Sequence, residues 1–166
     1  MGFLISIPVL IVVTILQTTV VSRMTLLNGQ ADLMLIILTA WALQRQVETS
    51  WQWSVLGGLF IDHFSGLPFG IYTVSYLVIN GLALVLRGRI WRFSYVMHLL
   101  LALVGTLMIH GFSVIIIVLQ GTPLELGSIL QQVTLPSLLL NLLLTFPIFL
   151  LVKDIAEQFY PEEIEI

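Results

Sequence analysis

The sequence predicts an all-α integral membrane protein with about six transmembrane helices, and three observations carry that prediction. Of its 166 residues, 58% are hydrophobic and 9% charged, with a mean hydropathy of +1.08; an ordinary soluble domain carries roughly 25% charged residues. The apolar residues fall into long runs divided by short polar intervals. The cations of those intervals are distributed unevenly between alternate loops. Several spans of about 20 residues use nearly the whole length, so 1–166 reads as a single polytopic membrane domain with a short cytoplasmic tail, 152–166, and no room for a soluble catalytic domain. A net charge of -3 implies neither nucleic-acid binding nor a polybasic lipid patch. With no cysteine, disulfides, thiolate metal sites and thiol catalysis are excluded together.

Span one is Phe3 to Val21, a charge-free run long enough for a bilayer core of about 30 Å at about 1.5 Å per residue. No Lys or Arg precedes Arg23, so the run lacks the basic start of a signal peptide and is expected to be retained. Pro8 and Gln17 inside it are tolerable where a neighbouring helix satisfies the freed carbonyl and the amide. A loop follows through Arg23 and the turn-forming Asn28-Gly29.

Two shorter runs come next, Ala31 to Leu43 and Trp51 to Phe64, separated by Arg45 to Glu48. Their length suits short helices in a hairpin, or re-entrant segments, with thinning or tilting around them. Trp41, Trp51 and Trp53 lie where an aromatic belt is expected. Ile71 to Leu86 reads as span four, Tyr95 to Leu119 as span five and Ile129 to Val152 as span six. With the N-terminus in the cytoplasm, the inside segments hold Arg45, Arg87, Arg89, Arg92 and Lys153 and the outside segments only Arg23, in accord with the positive-inside rule. Both termini are then cytoplasmic. The tail beyond Val152 is a short helix extension ended by Pro161 and expected to stay solvated.

The stretch Gly57 to Gly70, GGLFIDHFSGLPFG, holds the residues that the need for hydrocarbon does not explain. Asp62 closes an apolar helix, where a charge costs roughly 2.5–3.5 kcal/mol unless it faces protein or water. Ser65, Gly66, Pro68 and Gly70 supply turn chemistry. A carboxylate at a helix C-terminus opposes the helix dipole. Asp62 is therefore expected to accept hydrogen bonds from the Ser65 hydroxyl and the backbone of the following turn, the alternative being a proton- or ligand-handling role. Asp32 sits at the other end of the hairpin, on the same side, where an acid in the first helical turn complements the dipole and orphan N–H groups. Gly57 and Gly58 remove side chains, and Ser54 with Gly58 makes a small-xxx-small pair, the candidate surface for packing a partner helix.

No catalytic set stands out: the chain has no HExxH, GxSxG or Walker loop. His98 and His110 are about 120° apart around their helix, which argues against a shared metal site and for ordinary interhelical hydrogen bonds. Asp62, Asn80, His110 and Asn141 are the polar groups that a membrane-embedded enzyme would have to bring together. No enzyme activity, cofactor or metal is expected.

The segment ADLMLIILTAWAL, followed by GGLFIDHFSGLPFG and IYTVSYLVI, resembles the rod shape-determining protein MreD family, which shows an acid-led short helix and a Gly-x-x-x-Asp-x-x-Ser-Gly-x-Pro-x-Gly-like signature. Ala31 departs from the Pro frequent before the first Asp of that family. The motif part covers Gly29 to Leu86. The resemblance implies a multi-pass protein of the bacterial inner membrane that binds the bitopic MreC within the cell-elongation machinery, alongside MreB, RodA and a class B penicillin-binding protein, and so supports peptidoglycan synthesis and cell shape. It also implies a fold similar to the substrate-binding components of energy-coupling-factor transporters. Membership of such a vitamin-type transporter is the alternative; against it, span one carries Ile5, Pro8, Val12 and Leu16 where those components have an Ala-x-x-x-Ala docking face.

Overall fold

In the computed structural model the described residues, 2–44, 47–87 and 94–159, are almost entirely helical and contain no β-strand. Arg45, Arg89, Arg92 and Pro161 lie outside them. Six principal helices follow in order: α1, Gly2–Thr19; α2, Leu33–Ala42; α3, Ser50–Phe64; α4, Ile71–Arg87; α5, Ser94–Leu119; and α6, Leu135–Phe159. A 3₁₀ turn, Val21–Arg23, follows α1, and α6 is entered through the short helix Leu126–Ile129 and a π-helical turn, Leu130–Thr134. Three stretches are long and apolar enough to cross a membrane: Ser6–Arg23, Ser94–Leu119 and Leu126–Gln158. Their large side chains, among them Val12, Ile115 and Leu143, point outward, as suits a surface solvated by lipid.

Helix α2 is the centre of the bundle. At 10 residues it spans about 15 Å, about half the thickness of a hydrocarbon core. It packs against every other principal helix, and all of its residues except Ile37 are buried. A helix apolar all round is at home inside a protein, so α2 need not match the bilayer thickness and calls for no membrane thinning.

Glycines let the neighbours close on it: a Cβ on Gly57 of α3 would meet Met34 at 3.0 Å, and one on Gly105 of α5 would meet Leu35 at 2.8 Å. One further sequence expectation changes with the burial of α2. Trp41 and Trp53 are buried, with ring centroids 4.7 Å apart, and of the three belt residues only Trp51 stays on the surface. At the end of α6, Lys153, Asp154, Ile155, Glu157 and Gln158 are exposed, while Val152 and Ala156 pack in the core.

A buried helix needs its terminal N–H and C=O groups satisfied by protein. At the C-terminal end of α2, the Arg87 guanidinium donates from Nη1 to the Gln44 carbonyl (2.8 Å) and the Val47 carbonyl (2.6 Å), tying α4 to the α2–α3 connection. Arg87 thus acts inside the fold as well as contributing to charge asymmetry. Arg87→Met keeps the apolar stem and removes both bonds. It is expected to cost about 1.5–3 kcal/mol, the range for bonds to charged groups, read as a lower thermal midpoint in detergent.

Candidate functional site

The N-terminal end of α2 is where polar groups gather. Asp32 is the N-cap, its Oδ1 accepting the Leu35 N–H at 2.8 Å. The Tyr76 hydroxyl from α4 lies 2.8 Å from both carboxylate oxygens. The backbone entering the helix is held from two sides. Gln17 of α1 donates to the Ala31 carbonyl and accepts from the Leu33 N–H, both at 2.8 Å. Asn141 of α6 accepts the Asp32 N–H at 2.6 Å and donates to the Thr106 hydroxyl at 2.7 Å, linking α2, α5 and α6. Four helices thus contribute to one capped terminus. Asn141→Leu strands the Asp32 N–H and is expected to cost about 1–3 kcal/mol, measured by denaturation of the purified protein.

Asp62 is 4% exposed, and its carboxylate accepts three hydrogen bonds. Oδ1 accepts the Tyr72 N–H at 2.9 Å; Oδ2 accepts the Thr73 N–H at 3.1 Å and the Thr73 hydroxyl at 2.6 Å. The partners therefore lie in the first turn of α4, beyond the turn expected to supply them. Asp62 opposes the dipole of its own helix but complements that of the next. The Ser65 hydroxyl bonds the Asp62 backbone carbonyl instead of the carboxylate and also accepts the Leu67 N–H. Gly66 and Gly70 adopt φ of 69° and 101°, the left-handed region that glycine enters freely. Pro68 stands between them in the same link.

Gly58 explains the spacing of the signature. A Cβ there would lie 2.4 Å from the Thr73 Cα, closer than real atoms approach. Gly58 thus admits Thr73, and Asp62, one turn on, grips it. Ser54 is fully buried on the same face and bonds the Ser50 carbonyl. Both small positions serve contacts within the chain, so neither is available as a surface for a partner helix.

Of the four polar residues considered for an embedded enzyme, His110 and Asn141 line one cavity, whereas Asp62 and Asn80 lie away from it. Asp62 caps α4, Asn80 lies 3.4 Å from the Ser50 hydroxyl, His110 bonds Thr134, and Asn141 serves Asp32. His98 donates from Nε2 to the Ile36 carbonyl at 2.9 Å, on a different neighbour from His110.

Beside Asp32 the bundle holds a half-open cavity of about 330 Å³. Asp32, Tyr72, His110 and Ser113 contribute polar groups to its wall, and Ile61, Ile109 and Val133 contribute apolar ones. Part of the rim is the π turn, which is pinned by Asn28: its N–H donates to the Gln132 carbonyl at 3.0 Å and its side chain bonds the Gln132 side chain at 3.1 Å. Gly29 packs directly on this region, where a Cβ would lie 2.6 Å from the Ser137 nitrogen. No protein-family model, curated protein or solved structure matches this chain. The cavity and the Tyr76–Asp32 pair are not legible in the sequence, because they join residues far apart along the chain.

Proposed function

We propose that this protein is a non-enzymatic scaffold of the bacterial cell-elongation complex, an MreD-like multi-pass protein of the inner membrane that binds an MreC-like single-pass protein and so supports peptidoglycan synthesis. MreB, RodA and a class B penicillin-binding protein are the indirect partners in this reading. The observation that carries it is the use made of the signature residues. Gly58 and Asp62 meet on Thr73, and Ser65, Gly66 and Gly70 shape the link that brings it there. A motif of this kind locks a helix hairpin in register and presents no group to a substrate. A rigid bundle with a fixed surface suits a protein whose work is to hold another helix, since association in lipid depends on shape and hydrogen bonding.

Six spans with cytoplasmic termini, and a likeness to the substrate-binding components of energy-coupling-factor transporters, belong to the same proposal. The cavity favours one alternative, a solute-binding component of such a transporter. Depletion of the protein in a rod-shaped host tests the choice: loss of rod shape is expected, whereas unchanged shape with loss of vitamin uptake supports the alternative. Reporter fusions between Ser65 and Pro68 and between Gly121 and Gly127 are expected to be exported; cytoplasmic reporters at either place overturn the orientation.

A further inference from the structure

We infer that the cavity beside Asp32 is a binding site for a small organic cation, an ammonium group carried on an apolar body. The proposal goes beyond the scaffold reading and rests on the different placement of the two acids, of which only Asp32 lines the cavity. Asp62 accepts from three donors at a helix N-terminus and does not line the cavity. Asp32 does line it, and its donors are the Leu35 and Met34 N–H groups and one Tyr76 hydroxyl, whose single proton is shared between two oxygens. A carboxylate offers about four acceptor positions, so three donors leave Asp32 room for one more.

It also lacks a counter-charge. Among the described cations, Arg87 is engaged by the Gln44 and Val47 carbonyls, Lys153 pairs with Glu157 at 3.6 Å, and Arg23 is exposed on its turn. No Lys or Arg lines the cavity. A carboxylate balanced only by a helix N-terminus and neutral donors gains from an ammonium group, which brings a full positive charge and up to three N–H donors.

The remaining wall suits the rest of such a ligand. Tyr72 supplies an aromatic ring near the acid, a surface that attracts cations. Ile61, Leu67, Ile109 and Val133 offer an apolar lining for the body. A volume of about 330 Å³ is at the small end of ligand pockets. The π turn at the rim adds an independent sign, since such turns interrupt α-helices frequently at functional sites.

The test titrates the full-length purified protein in neutral detergent with butylammonium, 1-butanol and butyrate, reading the thermal midpoint. Butylammonium is expected to raise it saturably and the other two to leave it unchanged. Asp32→Asn retains an oxygen for the Leu35 N–H and is expected to weaken the apparent affinity about tenfold, as loss of a charge-assisted bond does. Ser113→Phe fills the cavity while leaving Asp32 in place, and is expected to abolish the response even where Asp32→Asn fails to fold. Equal shifts with 1-butanol, or an undiminished response in either folded variant, overturn the proposal. Mass measurement of the protein released from vesicles of phosphatidylethanolamine and phosphatidylglycerol identifies the source. Selective retention of the first, lost in Ser113→Phe, assigns a lipid headgroup; butylammonium binding without lipid retention assigns a free amine; neither form of binding overturns the site.

Discussion

Asp62→Leu is expected to destabilise the purified protein by about 2–5 kcal/mol, combining stranded donors at about 1–3 kcal/mol each with the loss of a helix cap. Three donors converge on the carboxylate, all from the first turn of α4, and Asp62 is buried. Asp62→Asn distinguishes charge from hydrogen bonding. Simple reasoning from the residue type expects Asn to be mild, because an amide oxygen still accepts. The geometry sharpens this: both carboxylate oxygens are in use, so Asn retains the partners of one oxygen and turns an NH₂ toward those of the other. An intermediate loss is expected, below that of Leu, with both variants measured by denaturation in the same detergent. Equal losses would assign the effect to charge alone.

Gly58→Leu is the second large effect, expected to cost about 3 kcal/mol or more, at the upper end of overpacking. The atom that a new Cβ would strike belongs to the Thr73 backbone, so relief requires α3 and α4 to separate. Separation also lengthens the bonds from Asp62 to Thr73. Gly58→Ala combined with Asp62→Asn is therefore expected to cost less than the sum of the single changes, by more than about 0.5 kcal/mol, the signature of coupled sites. Gly111→Ala is the control, since a Cβ there meets nothing within 4 Å. It is expected to be neutral or stabilising by up to about 1 kcal/mol, through the helix preference of Ala over Gly.

The long apolar runs were legible because lipid demands hydrocarbon over a fixed length. α5 was predicted from Tyr95 to Leu119 and begins one residue earlier, at Ser94. The hairpin with its acidic ends was legible too, from Asp32, Asp62 and the turn residues between Ser65 and Gly70. The central position of α2 was not. An apolar helix has the same composition whether its neighbours are lipid or protein, so burial of Leu33 to Ala42 is decided by the other five helices. Trp41 and Trp53 follow that burial inward.

The candidate site was half legible. Asp62 stood out by its cost, but its partners Tyr72 and Thr73 lie beyond a turn whose path depends on the φ values of Gly66 and Gly70. Ser54 and Gly58 were recognisable as close-packing positions, while the helix they admit was not, because a small residue advertises proximity without naming the neighbour. Gln17 read as a tolerated polar residue of span one, and Asn141 as one of the polar groups that an embedded enzyme would need. They complete the capped terminus of α2, a role that exists only once that helix is buried.

The central claim is that the protein holds another membrane protein. It is tested most directly by solubilising native membranes in mild detergent, capturing the tagged full-length chain and identifying what remains bound after stringent washing. Stoichiometric recovery of an MreC-like single-pass protein is the predicted result. Recovery of transporter ATPases with a tightly bound vitamin, and no such single-pass protein, would contradict it.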